Sequence, residues 1–145
     1  LRLARRLSLA FSTSMMSHAR FGTARVVLPS DHRAAEYIDL AASRSERYAH
    51  PGALPEIQRG KAIDDAQRRD FTINAIGVRL NGPAGSRGTW IDPCNGLSDL
   101  RAGLIRVLHP LSFIDDPTRI FRAVRFAARF GVTIERATLQ WLREA

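Results

Sequence analysis

Apolar and polar side chains alternate with a period of two in several short segments of this chain, a pattern typical of strands. The clearest example is Ile38, Asp39 and Leu40, where one charged residue lies between two aliphatic ones. On this basis strands are predicted over residues 15–17, 24–29, 36–41, 71–80, 90–92 and 104–108. No strand is predicted after residue 109.

Apolar residues recur at helical spacing elsewhere in the chain. Helices are predicted over residues 1–11, 64–69, 117–129 and 135–144, and turn-forming residues predict a loop at 51–61 and a turn at 81–86. The change from strands to helices divides the chain into a sheet-containing part, residues 1–109, and a helical part, residues 110–145. Five aromatic residues at helical spacing are predicted to lie in the core: Phe113, Phe121, Phe126, Phe130 and Trp141.

The helix predicted over residues 117–129 has two different faces. Pro117 is tolerated in the first turn, and Asp116 is the predicted N-cap. At 100° per residue, Arg119, Arg122, Arg125 and Arg129 fall within one arc of about 120°. The opposite, core-facing side is predicted to hold Ile120, Ala123, Val124, Ala127 and Phe130.

The four arginines repel one another, so an anion is expected nearby. Phosphate is the natural candidate because the planar guanidinium binds its oxygens in pairs. A solvated basic face without a ligand is the alternative, and it stays open on this pattern alone.

A second candidate is the sequence Arg68, Arg69 and Asp70, at the junction between a predicted helix and a predicted strand. Two guanidinium groups and a carboxylate there are suited to a triphosphate and a ribose hydroxyl. The alternative is that Asp70 only pairs with one of those two arginines at the surface.

Composition narrows the class of protein only slightly. The chain has 145 residues, 45% of them hydrophobic, which predicts one compact unit with a core. Its net charge of +8 favours a polyanionic partner without choosing between RNA and lipid. No apolar run of about 18 residues occurs, so no membrane span is expected. The single cysteine, Cys94, excludes an internal disulfide framework.

The first thirty residues hold five arginines and no acidic residue, a composition that organellar transit peptides share. The helical spacing of residues 1–11 favours a folded helix instead. A cytoplasmic location is therefore predicted, and an organellar one is left open.

Several blocks of sequence occur in an order that points to a known family. They are RRDFTINA (residues 68–75), WIDPCNGLSDLRAGLIRVL (90–108) and FIDDPTRIFRAVRFAARFGV (113–132), preceded by FGTARVVL, YIDLAASRSERY and PGALP. Together they closely resemble the class II tRNA nucleotidyltransferase and bacterial poly(A) polymerase family. The resemblance covers nearly the whole chain. It implies an α+β fold: a partial polymerase-beta-like nucleotidyltransferase head with a mixed sheet, residues 1–109, followed by the start of a helical neck, residues 110–145.

The resemblance also implies roles for individual residues. Asp115, Asp116 and Arg119 correspond to the family's protein template, in which Asp116 and Arg119 pair with the Watson–Crick edge of the incoming base. Arg69 and Asp70 correspond to the motif that contacts ribose and triphosphate, with Asn74 nearby. Arg122 and Arg125 continue toward the phosphates.

Asp39 corresponds to the third carboxylate that helps to hold Mg²⁺ in such enzymes. A salt bridge to Arg44 or to an arginine of the neighbouring strand is the alternative. The family's Asp-x-Asp pair is absent from the chain, which predicts a fragment of a longer protein. Because one carboxylate cannot position two metal ions, this chain alone is expected to bind nucleotide weakly and not to polymerise.

The expected activity of the longer protein is transfer of AMP, with CMP left open, to the 3′ end of an RNA, with tRNA favoured. ATP is the expected substrate, with CTP as a second candidate, and Mg²⁺ the expected cofactor. A non-catalytic basic RNA-binding module is the alternative from another class. The sequence does not separate CCA-adding, A-adding and poly(A)-adding activity, and it leaves the oligomeric state open.

Overall fold

The computed structural model describes residues 1–31, 35–47, 49–50, 53 and 56–145. The chain consists of two compact units, Leu1–Ser43 and Arg44–Ala145. The head-to-neck boundary predicted after residue 109 stays a prediction.

The first unit is a helix and a three-stranded antiparallel sheet. Helix α1 (Arg2–Ala10) is followed by β1 (Met15–His18), β2 (Thr23–Val27) and β3 (Tyr37–Ala41), with β2 in the centre of the sheet. The core of this unit is formed by Ala4, Ala24 and Val26. The helix and strands predicted here are confirmed, with ends shifted by at most two residues.

The second unit begins with a hairpin that the sequence pattern did not reveal. Strand β4 (Arg44–Arg47) pairs antiparallel with β5 (Glu56–Arg59), so the loop predicted over 51–61 is wrong at β5. All four β5 residues are exposed, and no apolar alternation marks the strand. Residues 51, 52, 54 and 55 of the predicted loop lie outside the described residues. Helix α2 (Ala62–Gln67) follows, two residues earlier than predicted.

The strand predicted over residues 71–80 is wrong for most of its length. Residues Thr72–Ala75 form a 3₁₀ turn, and only β6 (Gly77–Val78) pairs with a strand, β7 (Trp90–Ile91). Phe71 and Thr72 are consecutive and both buried, which a half-buried strand does not allow. The Asn74 amide N–H donates to the Phe71 carbonyl and closes the turn.

The core of the second unit lies between the 3₁₀ turn and the C-terminal helices. Phe71, Ile105, Val107, Phe113 and Ala123 are its buried members. The remaining elements are α3 (Gly96–Ala102), β8 (Leu104–Ile105), α4 (Ser112–Asp115), α5 (Thr118–Phe130), β9 (Thr133–Ile134) and α6 (Arg136–Glu144). Strands β8 and β9 pair in parallel. Helices α5 and α6 confirm the predicted helices, whereas α3, α4 and β9 were not predicted.

Helix α3 starts at a close approach of two backbone segments. The Asp92 carboxylate accepts hydrogen bonds from the amide N–H groups of Gly96 (2.6 Å) and Leu97 (2.9 Å), which replace missing intrahelical partners. A Cβ on Gly96 would collide with the carbonyl oxygen of Thr72. Glycine at this position therefore lets α3 lie directly against the 3₁₀ turn.

The buried face of α5 differs from the predicted face. Arg119 is only 5% exposed, while Val124 and Phe130 are each 54% exposed and Phe121 is 80% exposed. The inward side is shifted toward the arginines because Arg119 finds polar partners inside the unit. Of the five predicted core aromatics, Phe113, Phe126 and Trp141 pack in or against the core, and the placement of Phe121 and Phe130 there was wrong.

Candidate functional site

The centre of the site is the carboxylate of Asp70, which is 8% exposed. Its Oδ1 accepts hydrogen bonds from the Phe71 amide N–H (3.0 Å) and from Asn74 Nδ2 (2.8 Å). Its Oδ2 accepts from Arg122 Nε at 2.7 Å. The alternative pairing of Asp70 with Arg68 or Arg69 is therefore not what the structure shows. Instead Asp70 joins the end of α2 to helix α5.

Arg119 makes a second connection between the same two segments. Its Nη2 donates to the carbonyl oxygen of Arg68 at 3.2 Å, and its Nη1 donates to Ser112 Oγ at 3.0 Å. Its Nε lies 3.7 Å from Asp116 Oδ2. The two residues expected to act as the template are thus adjacent, and part of the guanidinium is already used within the protein.

Asp116 combines this position with a local structural role. Its Oδ1 accepts from the amide N–H (3.0 Å) and the hydroxyl (2.6 Å) of Thr118. Pro117 occupies the N-cap position of α5, one residue later than predicted, yet the Asp116 carboxylate still satisfies an amide of the first turn. The Asp116 side chain remains 38% exposed, so a ligand could reach it.

Asp115 faces a histidine rather than an arginine. Its Oδ2 lies 3.9 Å from His109 Nε2. Burial lowers the pKa of His109 and so does the Arg119 guanidinium, and together they outweigh the opposite effect of Asp115. Arg125 is exposed on the same helix as Arg119 and Arg122.

Arg68 and Arg69 are held by one carboxylate. Asp65 Oδ1 accepts from Arg68 Nη2 at 2.7 Å, and Asp65 Oδ2 accepts from Arg69 Nη2 at 2.8 Å. Burial alone would raise the pKa of Asp65, but the hydrogen bonds from Arg69 and Arg68 hold it below its usual range. Asp65 was not among the site residues predicted from the sequence. The signal was its spacing, three and four residues before the arginines on one helix.

Arg69 and Asn74 also line one cavity of about 180 Å³. Asp65 lies in the same lining, and the remaining lining residues are apolar and come from α2, the segment 75–78 and β7. Asp70, Asp116, Arg119 and Arg122 are not among its lining residues. The structure therefore unites the two predicted motifs through hydrogen bonds rather than around this cavity.

Asp39 lies in the other unit. Its two carboxylate oxygens accept from Arg25 Nε (2.7 Å) and Arg25 Nη2 (2.8 Å), and the two residues are register partners on β3 and β2. The hydrogen bond from Arg25 lowers the pKa of Asp39. The salt bridge to a neighbouring-strand arginine, given above as the alternative, is thus present.

The donor atoms around Asp39 do not fit Mg²⁺. A magnesium site needs several oxygen ligands, and the Asp39 carboxylate is already neutralised by a guanidinium. Across the described part of the chain, no group of three or more histidine, cysteine, aspartate or glutamate side chains is placed to hold a metal ion. A role for Asp39 as a metal ligand stays a prediction that depends on residues elsewhere.

The fold and these contacts define an α+β protein with a polymerase-beta-like nucleotidyltransferase head. Residues 2–106 match the poly A polymerase head domain, so the chain belongs to that family. The A-adding tRNA nucleotidyltransferase of Geobacter sulfurreducens is 47% identical over 129 residues, which make up 89% of this chain and 14% of that protein.

Two solved structures are similar over nearly the whole chain. A CCA-adding enzyme in an apo form matches with a TM-score of 0.85 and 39% identity, over 99% of this chain and 32% of that one. A tRNA nucleotidyltransferase complexed with a primer tRNA and an incoming ATP analog matches with a TM-score of 0.79 and 34% identity, over 99% of this chain and 37% of that one. The chain therefore spans about a third of these structures. None of the helices within the described residues has the length and hydropathy to cross a membrane.

Proposed function

We propose that this chain is the nucleotide-handling part of a nucleotidyltransferase that adds AMP, with CMP left open, to the 3′ end of an RNA, most specifically a tRNA. The observation that carries the proposal is the double connection of α5 to the segment 68–70, through Arg119 and Arg122. It brings the two sequence motifs into one structure. The relatives named for A-adding and CCA-adding activity support the choice of tRNA.

The template role is proposed for Asp116 and Arg119. A carboxylate accepts from the exocyclic amino group that both adenine and cytosine carry, and a guanidinium donates to a ring nitrogen or carbonyl. Two N–H groups of Arg119 are used by Ser112 and Arg68, and its Nε lies 3.7 Å from Asp116 Oδ2, so a base that binds the Asp116 carboxylate would also lie next to this guanidinium. Arg119 is fixed by these bonds before a nucleotide binds, which lowers the entropy cost of recognition.

The phosphate groups are assigned to the more exposed arginines. Arg69, Arg122 and Arg125 are each partly or fully accessible, with Arg69 and Arg122 side chains 44% and 41% exposed. Asp70 orients Arg122 because both Nε and Nη2 of Arg122 lie against Asp70 Oδ2, and Nη1 is the group proposed to meet a phosphate. In this proposal Asp70 and Asn74 hold Arg122 in place. For Asp70 to accept a hydrogen bond from a ribose hydroxyl, it would have to give up one of its present hydrogen-bond donors.

No step is assigned to Mg²⁺, because the donor atoms described here do not fit it. The metal stays a prediction for a longer protein that carries the Asp-x-Asp pair. The cytoplasmic location likewise stays a prediction, as does the choice among CCA-adding, A-adding and poly(A)-adding activity.

The test is nucleotide selectivity of the 145-residue chain. We expect ATP to displace a fluorescent ATP analogue better than GTP or UTP does, and Asp116→Ala to reduce that preference. Asp64→Ala is the matched control, since Asp64 also accepts an amide N–H at a helix start, from Lys61 at 2.6 Å. Circular dichroism melts check that both variants fold.

The second candidate function is a basic RNA-binding module that holds no nucleotide. It is favoured by the exposed Arg125 and by the net charge of +8. If Asp116→Ala leaves nucleotide binding unchanged while Arg125→Ala weakens RNA binding and reduces its salt dependence, this second function replaces the first.

A further inference from the structure

A single carboxylate, that of Asp65, organises the arginine pair before Asp70. Its side chain is 16% exposed and accepts from Arg68 Nε (3.2 Å) and Nη2 (2.7 Å), and from Arg69 Nη2 (2.8 Å). The backbone N–H of Arg44 also donates to it, at 3.3 Å. Asp65 therefore ties strand β4 and both arginines to helix α2.

The two arginines are not equivalent in this arrangement. Arg68 is 19% exposed, and its Nη1 donates to Glu46 Oε1 at 3.2 Å in addition to the bonds with Asp65. Arg69 is 44% exposed and is bonded to Asp65 through Nη2. Arg68 is thus held within the protein, whereas Arg69 is more exposed and lines the cavity described above.

The charge balance of the cluster still favours an anion. Asp65 and Glu46 are two carboxylates, and Arg44, Arg68 and Arg69 are three guanidinium groups paired with them. Within these five side chains the guanidinium groups outnumber the carboxylates by one, and Arg69 is the most exposed of the three arginines. Asp65 therefore fixes the direction of Arg69 without cancelling the attraction of the cluster for phosphate.

We propose that Asp65 is a positioning residue that aims Arg69 at a phosphate group of the incoming nucleotide. The inference rests on the proposed function, because it presumes that a nucleotide binds here. Its physical basis is pre-organisation: an arginine held in its binding rotamer loses less entropy when the anion arrives. If Asp65 instead competed with phosphate for Arg69, its presence would weaken phosphate binding, and Asp65→Asn would tighten it.

The experiment measures binding of ATP, inorganic tripolyphosphate and adenosine to the 145-residue chain and its variants by isothermal titration calorimetry. We expect Asp65→Asn to weaken ATP and tripolyphosphate by roughly fivefold, the scale of a partly exposed ion pair, and to leave adenosine unchanged. The neighbouring Asp64→Asn is the control and is expected to leave all three unchanged. A double-variant cycle gives the decisive readout: Asp65→Asn combined with Arg69→Gln should lose no more affinity than Arg69→Gln alone.

Tighter or unchanged tripolyphosphate binding by Asp65→Asn overturns the inference, and so do additive losses in the cycle. If Asp65→Asn does not fold, the test is the affinity of Arg69→Gln for tripolyphosphate. Unchanged binding in that variant overturns the inference, because Asp65 is proposed to act through Arg69. If the unmodified chain binds neither ATP nor tripolyphosphate, the proposed function is wrong for this chain, and the inference about Asp65 is wrong as well. Normal binding by the unmodified chain with no effect of Asp65→Asn overturns the inference alone.

Discussion

Arg122 Nε donates to Asp70 Oδ2 at 2.7 Å across 52 residues of sequence. The bond joins the residue that ends the Arg-Arg-Asp sequence to the middle of helix α5. Asp70 is 9% exposed at its side chain and Arg122 is 41% exposed, so the pair links the interior of the unit to its surface. A ligand that binds Arg122 would therefore contact a side chain that is bonded directly to Asp70, the residue two positions before the 3₁₀ turn.

Arg122→Ala is expected to lower the free energy of unfolding by about 1–2 kcal/mol, because it leaves Asp70 Oδ2 buried without its donor. The expected loss of unfolding free energy is small for a buried carboxylate because Arg122 is partly exposed and water screens the pair. Urea unfolding followed by circular dichroism measures it. Arg125→Ala removes an exposed arginine three residues further along α5 and should change stability by less than about 0.5 kcal/mol. Equal effects of the two variants would mean that the Asp70 bond contributes nothing to stability.

Gly96→Ala is expected to destabilise the second unit by about 1–3 kcal/mol, the range for overpacking a tight contact. The new Cβ would meet the backbone oxygen of Thr72, which cannot rotate away as a side chain could, and would lie 2.8 Å from Ile76 Cγ1. Thermal melts measure the loss. Gly77→Ala is the matched control, since its nearest neighbour would be Ile91 Cβ at an ordinary 3.8 Å. A melting temperature for Gly96→Ala equal to that of the control would contradict the close approach of α3.

His109 is expected to make stability depend on pH near neutrality. Burial lowers the pKa of His109 in the folded chain, and Arg119 adds to the effect against Asp115. The unfolded chain then binds this proton at a higher pH, near the usual value of about 6.5. The free energy of unfolding therefore falls as the pH drops through that value toward the lower folded pKa.

The measurement is urea unfolding between pH 8 and pH 5, with His109→Gln for comparison. The variant cannot take up the proton, so its stability should fall less steeply over this range than that of the unmodified chain. Parallel curves would show that His109 is not the group responsible.

Much of the fold follows from side-chain periodicity where one face of an element is buried. Strand β3 was predicted because Ile38 and Leu40 face inward while Asp39 faces out. Strand β5 was missed because all its residues are exposed, and it is recognised in the structure by its backbone pairing with β4. Periodicity contains no signal for such a strand.

The roles predicted for the site residues stay predictions, and the structure bears only on how these residues are connected. Asp116 and Arg119 were expected to be adjacent, and they are. The bond from Arg122 to Asp70 was not foreseen, because it depends on tertiary packing that brings α5 onto the segment after α2. The burial of Arg119 was missed for the same reason. Arginine is mostly exposed in proteins, and the polar partners that allow this one to be buried cannot be identified from the sequence pattern.

The altered face of α5 can be tested with two phenylalanines of one helix. Phe126 packs edge-on against Phe71, with ring centroids 5.7 Å apart, and lies against the core. Phe121 is 80% exposed. Phe126→Ala should therefore cost about 2–4 kcal/mol of unfolding free energy, somewhat less than a fully buried phenylalanine. Phe121→Ala should cost less than about 0.5 kcal/mol, because little apolar area returns to water and alanine favours the helix. Urea unfolding of both variants gives the comparison. Since the sequence pattern alone placed both residues in the core, similar losses would support that placement and contradict the face that the structure buries.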